Sequence, residues 1–222
     1  MLPPSSKRPI CPRCERPQRT CICHWITPVA CDIDILILQH PLEVHNAKGS
    51  ARLLHLCLPK SRLFTGERIS PLELSRLLYQ PLDQGKAFPP PAIKRPVLLY
   101  PDTPGTSYAG SSPQIVDTTS VDWLTNLRLV IVDGTWRKSR KMLHLNPLLQ
   151  ELPRLALSDG EESIYKIRKA HAPDQLSTLE ATCHALMRLE NNGEKYRPVL
   201  SAFAGFVEQH LAYRDAAICD AV

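Results

Sequence analysis

Three short apolar runs constrain the fold of this 222-residue chain more than any other feature. They occupy residues 32–38, 96–100 and 127–132, and a fourth run occupies 152–157. Each has the length and aliphatic content of a buried strand. Segments with helical spacing or capping signals alternate with them, at residues 47–58, 71–78, 137–145, 177–190 and 198–214. The alternation predicts an α/β fold with a mainly parallel sheet.

Polar residues follow three of the predicted strands at the points where those strands end. The polar segments are residues 39–43, 101–105 and 133–136. Ligands of parallel sheets bind outside the carboxyl ends of the strands. The sequence therefore predicts that these three segments border one site.

The segment after the strand 127–132 has the strongest chemical character. Asp133 places a carboxylate at the ligand crevice, Gly134 permits a tight turn, and the Thr135 hydroxyl can cap the next helix. Trp136 adds a flat face on which a nucleobase can stack. The structural alternative is a capping aspartate beside a core tryptophan, and the four residues alone favour neither interpretation.

The net charge of +5 is the balance of three basic segments against an acidic remainder. Residues 1–23 carry +4, residues 137–141 carry +4 and residues 165–171 carry +3, which leaves −6 for the rest of the chain. Segregated positive charge is typical of proteins that bind a polyanion such as nucleic acid. The alternative for each segment is a solvated face.

Four of the eight cysteines lie within thirteen residues, in the pattern C-x2-C-x6-C-x-C. They are Cys11, Cys14, Cys21 and Cys23. Four thiolates so close in sequence can form a tetrahedral shell around a structural zinc ion, and His24 is an alternative ligand. A redox C-x-x-C would need a thioredoxin-like strand and helix around it, which the sequence does not predict, and chance spacing is the remaining alternative.

Several function classes lose support because their motifs are missing. The sequence has no G-x-G-x-x-G, P-loop, G-x-S-x-G or H-E-x-x-H pattern. It shows no export signal and no apolar run near the ~20 residues of a membrane span. We therefore expect a cytoplasmic protein with no membrane association, whose cysteines are reduced.

An ordered set of motifs resembles the DTW-domain family over roughly residues 10–214. The defining motif is Asp133-x-Thr135-Trp136. The others are Gln39-His40-Pro41-x-Glu43, Arg52-Leu53-Leu54, Trp136-x-x-Ser139-Arg140-Lys141-Met142, Leu152-Pro153-Arg154, Tyr165-x-Ile167-Arg168-Lys169 and Ser177-Thr178-Leu179-Glu180-Ala181. The N-terminal cysteine pattern is also similar to that of bacterial members.

The resemblance implies a SPOUT-like sheet with helices on both faces and a trefoil knot at the cofactor site, an exception to the rule that chains do not thread loops. It implies a zinc knuckle at 1–27, a catalytic domain at 28–214 and a C-terminal tail at 215–222. Bacterial members of this size resemble enzymes that transfer the 3-amino-3-carboxypropyl group of S-adenosylmethionine to N3 of a uridine in the tRNA variable loop (position 47). Methylthioadenosine would be released.

The same resemblance, with the chemistry of the side chains, suggests roles for individual residues. Asp133 would be the general base, supported by Thr135 and Trp136. The expected contacts to S-adenosylmethionine are Leu99, Tyr100, Pro101, Ser177, Thr178 and Glu180. The expected contacts to RNA are Arg13, Arg16, Arg137, Lys138, Arg140, Lys141, Arg168 and Lys169. For residues 177–180 the alternative is a plain capping box.

Two other functions stay open at this point. The first is an S-adenosylmethionine-dependent RNA methyltransferase on the same scaffold. The second is a zinc-knuckle RNA-binding protein without catalysis. We expect tRNA as the partner and no obligate protein partner.

Overall fold

The computed structural model describes residues 9–81, 92–101, 124, 126–157 and 176–219, the last six of them as backbone only. Five strands are found there: β1 (Asp34–Gln39), β2 (Ser61–Thr65), β3 (Arg95–Leu99), β4 (Leu127–Asp133) and β5 (Arg154–Leu155). The α-helices are α1 (Ala51–Cys57), α2 (Pro71–Tyr79), α3 (Trp136–Leu145), α4 (Pro147–Gln150), α5 (Thr178–Leu189) and α6 (Arg197–Cys219). Within these ranges no helix is long and apolar enough to cross a membrane.

The five strands form one sheet in the order β2-β1-β4-β3-β5, and every neighbouring pair is parallel. The register pairs Gln39 of β1 with Asp133 of β4, so the carboxyl ends of these two strands are level. The predicted α/β class with a parallel sheet is confirmed. The register also brings two of the predicted polar segments to the same edge.

Helices cover both faces of the sheet and pack their apolar residues against it. Ile35 and Ile37 of β1 belong to a core shared with α1, α5 and α6. Leu36 and Leu38 point the other way, into a core shared with α2, α3 and α4. Because a central parallel strand is buried on both faces, β1 and β4 show continuous apolar runs rather than an alternating pattern.

The structure departs from the sequence-based elements at β2, α4, β5 and α6. β2 and α4 are not predicted, because β2 is an edge strand with Arg62 and Thr65 exposed, and α4 is a single turn. β5 comprises only Arg154–Leu155 within the predicted run 152–157. α6 continues to Cys219, past the predicted end at 214, because residues 215–219 contain no proline or glycine to stop a helix.

A buried arginine fixes the amino edge of the sheet, opposite the candidate site. The Arg128 guanidinium is fully buried and donates to Asp34 Oδ2 at 3.1 Å and to the carbonyl oxygens of Leu77 and Leu78 in the last turn of α2. Lys94 pairs with the same carboxylate at 3.0 Å. A cation beside the carbonyl end of a helix is favourable, so this cluster joins β1, β4 and α2.

The N-terminal cysteine segment packs closely on α6. The indole N–H of Trp25 donates to Gln209 Oε1 at 2.6 Å, and Gln209 Nε2 donates to the Cys21 carbonyl oxygen at 3.4 Å. A Cβ atom placed on Gly205 would lie 2.2 Å from the Trp25 ring. The segment is therefore seated on the helix through a contact that only glycine permits.

Replacing Gly205 by Ala tests this docking. In an isolated helix the change would stabilise by about 1 kcal/mol. Here the overlap with Trp25 is expected to destabilise the protein by about 1–3 kcal/mol. Thermal unfolding measures the difference, and Gly193→Ala is the control because a Cβ there has no neighbour within 4 Å. A higher melting temperature for Gly205→Ala would contradict the packing.

Candidate functional site

Asp133 lies at the centre of the carboxyl edge of the sheet, at the end of β4. Its side chain is buried, and both of its oxygens accept hydrogen bonds from other elements. Gln39 Nε2 donates to Oδ2 at 3.0 Å, and the Thr178 hydroxyl donates to Oδ1 at 2.7 Å. The ends of β1 and β4 and the start of α5 therefore converge on one carboxylate.

His40 links this edge to a neighbouring acid. Its backbone N–H donates to the Asp133 carbonyl oxygen at 3.0 Å, and its Nδ1 accepts from the Leu42 N–H at 3.1 Å. Nδ1 is thus an acceptor, which places the ring proton on Nε2 and makes that nitrogen the donor to Glu67 Oε1 at 2.9 Å. Lys141 pairs with the same carboxylate, and the two donors hold the pKa of Glu67 below its usual value.

Glu43 is a second acidic residue on this edge that pairs with a lysine of α3. It is buried, its Oε1 pairs with Lys138 Nζ at 2.8 Å, and its Oε2 accepts from Asn46 Nδ2 at 2.6 Å. The ion pairs Glu43–Lys138 and Glu67–Lys141 connect α3 to the segments that follow β1 and β2. Sequence reasoning missed Glu67, which carries no motif signal. It included Gln39 and Glu43 in a polar segment and in a family motif, but gave neither residue a role.

Trp136 opens α3 beside Asp133 and is 44% exposed, so it is not a core residue. The rings of Tyr100 and Trp136 form a T-shaped pair, with centroids 5.8 Å apart and planes at 80°. Thr135 caps the helix by accepting from the Lys138 N–H at 3.4 Å, as predicted. Gly134 does not adopt a left-handed conformation. Glycine instead relieves crowding at this position, because a Cβ atom on residue 134 would lie 3.2 Å from Lys138 Cβ.

The residues predicted to contact S-adenosylmethionine fall into two groups. Leu99, Tyr100 and Pro101 lie at the carboxyl end of β3, and the Tyr100 hydroxyl lies 3.2 Å from Ser139 Oγ. The second group opens α5, where Ser177 and Glu180 form a reciprocal capping box at 2.8 and 3.2 Å. Thr178 donates to Asp133. The capping box considered for residues 177–180 is therefore present. Residues 102–105 lie outside the described part of the chain.

The residues predicted to contact RNA also differ in their environments. Arg13, Arg137 and Arg140 are exposed, whereas Lys138 and Lys141 are ion-paired as above. Arg16 donates to the carbonyl oxygens of Asn46, Ala47 and Gly49, the shortest at 2.9 Å, and lies over the Phe206 ring. It thereby holds the cysteine segment against the loop after β1. Arg168 and Lys169 lie outside the described residues.

The four clustered cysteines meet as predicted, with all four sulfur atoms within 4.8 Å of one another. Cys11 and Cys23 sulfurs are 3.5 Å apart, and Cys14 and Cys21 sulfurs are 3.8 Å apart. A tetrahedral ion with Zn–S bonds of about 2.3 Å needs sulfurs about 3.8 Å apart. The donor set and spacing therefore fit zinc. His24 lies beside the Trp25 ring and is not part of this cluster.

The chemistry of the thiols agrees with a bound cation. Backbone N–H groups, first that of Cys14, lower the pKa of Cys11 to about 6. Burial and the neighbouring sulfurs raise the pKa of Cys23 to about 12. Four thiolates in one place need a cation to balance their charge, because a coordinating thiol loses its proton to the metal.

Comparison with known proteins places most of the chain in one family. A sequence model of the DTW domain matches residues 8–211. A relative from Macaca fascicularis, tRNA-uridine aminocarboxypropyltransferase 2, is 29% identical over 93% of this chain and 66% of the relative. A relative of that name from Drosophila melanogaster is 29% identical over 86% and 70% of the two chains. The Arabidopsis thaliana tRNA-uridine aminocarboxypropyltransferase A is 25% identical over 85% and 75%.

Each of these matches covers a larger share of this chain than of the relative. The chain spans 66% of the length of the macaque relative, slightly less than two thirds. No solved structure matches it.

Proposed function

The chain belongs to the DTW-domain family, and on that premise we propose that it is a tRNA-uridine aminocarboxypropyltransferase. It would transfer the 3-amino-3-carboxypropyl group of S-adenosylmethionine to N3 of a uridine in tRNA. The names of the animal and plant relatives support this activity. The observation that carries the proposal is the buried Asp133 carboxylate, held by Gln39 and Thr178 at the edge where parallel sheets bind ligands.

In the proposed reaction Asp133 accepts the proton of the uridine N3–H, which makes N3 a nucleophile. A carboxylate has about four lone-pair sites, so the bonds from Gln39 and Thr178 orient it without excluding a further donor. When bound, S-adenosylmethionine supplies an electrophilic γ-carbon and a neutral thioether leaving group that needs no acid. The exposed face of Trp136 stacks on the uracil or the adenosine.

The two donors to Asp133 act as positioning residues in this proposal. Gln39 is the last residue of β1 and Thr178 opens α5, so two separate elements hold the carboxylate at the end of β4. Holding the base at one angle to N3 is worth orders of magnitude in rate. Thr178, proposed from the sequence as a cofactor contact, is better explained by this role.

We propose further that the sheet is SPOUT-like and knotted at the cofactor site. The order of the strands supports this, because β4 lies between β1 and β3, and β5 lies beyond β3. For the protein as a whole we propose a cysteine knuckle at 1–27, a catalytic domain at 28–214 and a cytoplasmic location. Of the predicted tail at 215–222, residues 215–219 belong to α6. The knuckle would hold a structural zinc ion through Cys11, Cys14, Cys21 and Cys23.

For the RNA surface we propose first the exposed arginines, Arg13, Arg137 and Arg140. Lys138 and Lys141 add charge next to them although each is paired, and Arg168 and Lys169 extend the set. Arg16 contributes mainly by holding the knuckle in place. Exposed arginines beside an exposed aromatic ring are typical of a surface that binds single-stranded nucleic acid.

Salt dependence tests the proposed RNA surface. Replacing both Arg137 and Arg140 by Ala should weaken tRNA binding and lower the magnitude of the slope of log K against log salt by about 1.4–1.8, because each lost phosphate contact removes about 0.7–0.9. Binding titrations at several salt concentrations measure the slope. Lys60→Ala is the control, since Lys60 is exposed just before β2, at the opposite edge. Equal slopes for the two variants would contradict the assignment.

Nucleoside mass spectrometry tests the proposed activity. Purified protein is incubated with unmodified tRNA and S-adenosylmethionine, and the digested nucleosides are compared with a reaction without protein. We expect an aminocarboxypropyl adduct on uridine and methylthioadenosine as the second product. A methylated nucleoside would show a methyltransferase instead, and an unchanged tRNA that still binds would show a non-catalytic RNA-binding protein.

A further inference from the structure

A cleft of about 190 Å³ lies between the cysteine knuckle and the carboxyl ends of β1 and β2. Its described walls come from five parts of the chain: residues 14–16 of the knuckle, Gln39 at the end of β1, residues 43–46 and 49 of the loop that follows, Arg52 and His55 on α1, and Leu63 and Thr65 of β2. The roles proposed for Asp133, Trp136 and the exposed arginines do not use this cleft.

Among the described residues that line the cleft, the positive and negative side chains are equal in number. Arg16 and Arg52 balance Glu15 and Glu43, and Arg52 is fixed by Glu15 Oε1 at 2.8 Å. Burial and the charge of Arg52 lower the pKa of His55, which disfavours its charged form. A lining with donors and acceptors but no net charge suits an uncharged polar ring better than a phosphate group.

The cleft also has a defined position relative to Asp133. Gln39 forms part of its wall, and the amide of Gln39 donates to the Asp133 carboxylate at 3.0 Å. In the sheet, β1 and β2 lie on one side of β4, and β3 lies on the other. The cleft is therefore on one side of Asp133, and Tyr100 and Pro101, the proposed cofactor contacts after β3, are on the opposite side.

We propose that this cleft takes the uracil ring of the substrate uridine, turned out of the RNA, while the group donor approaches from the β3 side. This inference rests on the proposed function. The volume equals that of about six water molecules at ~30 Å³ each, enough for one pyrimidine ring and too little for a base pair. Enzymes that modify a base take it out of the stack into such a pocket and read its edge by hydrogen bonds. The knuckle is then one wall of the substrate site.

Filling the cleft tests the proposal kinetically. Thr65→Trp places a large ring at the cleft beside Gln39, its partner in the sheet register, and Arg62→Trp adds the same ring to an exposed position of β2 outside the cleft. Thr65→Trp should raise the KM for tRNA at least about tenfold and leave S-adenosylmethionine binding unchanged. Arg62→Trp should change neither. Wild-type tRNA kinetics in a folded Thr65→Trp variant would overturn the proposal.

Crosslinking of the unaltered protein gives a result that needs neither variant folding nor activity. A tRNA transcript carrying 4-thiouridine at every uridine is irradiated in complex with the protein, and the crosslinked peptides are identified by mass spectrometry. We expect crosslinks in residues 14–16 and 39–65, competed by unmodified tRNA. Crosslinks confined to residues 136–141 would overturn the cleft assignment. Crosslinks in the cleft with no aminocarboxypropyl product would reject the proposed function and leave the cleft as an RNA site.

Discussion

Replacing Asp133 by Asn is expected to reduce the rate of transfer by about 10²–10⁴-fold, the range of a lost general base. The amide has the same size but cannot accept the N3 proton. The Asn side chain keeps one acceptor oxygen for Gln39, and its NH₂ group can donate to the Thr178 hydroxyl, which then accepts instead of donating. Single-turnover assays with saturating S-adenosylmethionine measure the chemical step, and the affinities for tRNA and for the donor are measured separately.

Two controls separate a catalytic role of Asp133 from a structural one. Asp32→Asn removes an exposed carboxylate that pairs with Lys195 away from the site, and it should leave the rate unchanged. Raising the pH toward the region where the uridine N3–H ionises by itself should restore part of the rate of Asp133→Asn, because the base is then no longer needed. A loss of rate that is independent of pH, or a rate close to wild type, would contradict the role as base.

Replacing Cys11 and Cys14 together by Ser is expected to reduce the bound zinc from one ion per chain to nearly none. Structural zinc sites contribute on the order of 10 kcal/mol in isolated knuckles, so the segment should lose its order. Arg16 lies two residues after Cys14 and holds the loop after β1, so that loop loses its support as well. We expect a lower melting temperature and weaker tRNA binding, whereas S-adenosylmethionine binding at the β3 side persists.

Metal analysis of the purified variant gives the primary result, and Cys31→Ser is the matched control. Cys31 is a buried free thiol outside the cluster, so its replacement should leave the zinc content at the wild-type level. Full zinc retention after loss of Cys11 and Cys14 would refute the ligand assignment. Normal tRNA affinity without zinc would refute the role of the knuckle in substrate binding.

The sequence predicts the centre of this fold well because burial on both faces leaves a local signature. β1, β3 and β4 are apolar runs, and parallel pairing brings the residues after them to one edge, which is how Gln39 and Asp133 were expected to be neighbours. The four cysteines were equally predictable, since their ligand geometry is fixed within thirteen residues.

Contacts between distant segments left no comparable signature. Glu43 and Lys138 are 95 residues apart in sequence, so no local pattern indicates that Lys138, in the basic segment of α3, is ion-paired. β2 was missed because an edge strand with exposed Arg62 and Thr65 lacks an apolar run. The docking of Trp25 on Gly205 and the cleft behind the knuckle depend on how the knuckle is seated on the domain, which no local pattern encodes.

Two parallel reactions with tRNA distinguish transfer of the aminocarboxypropyl group of S-adenosylmethionine from transfer of its methyl group. One uses the donor labelled in the carboxyl carbon of its methionine moiety, and the other uses the donor labelled in the sulfonium methyl group. We expect the carboxyl label to enter a tRNA uridine and the methyl label to leave in methylthioadenosine. Methyl label in the tRNA, or no label in the tRNA from either donor, would contradict the proposed transfer.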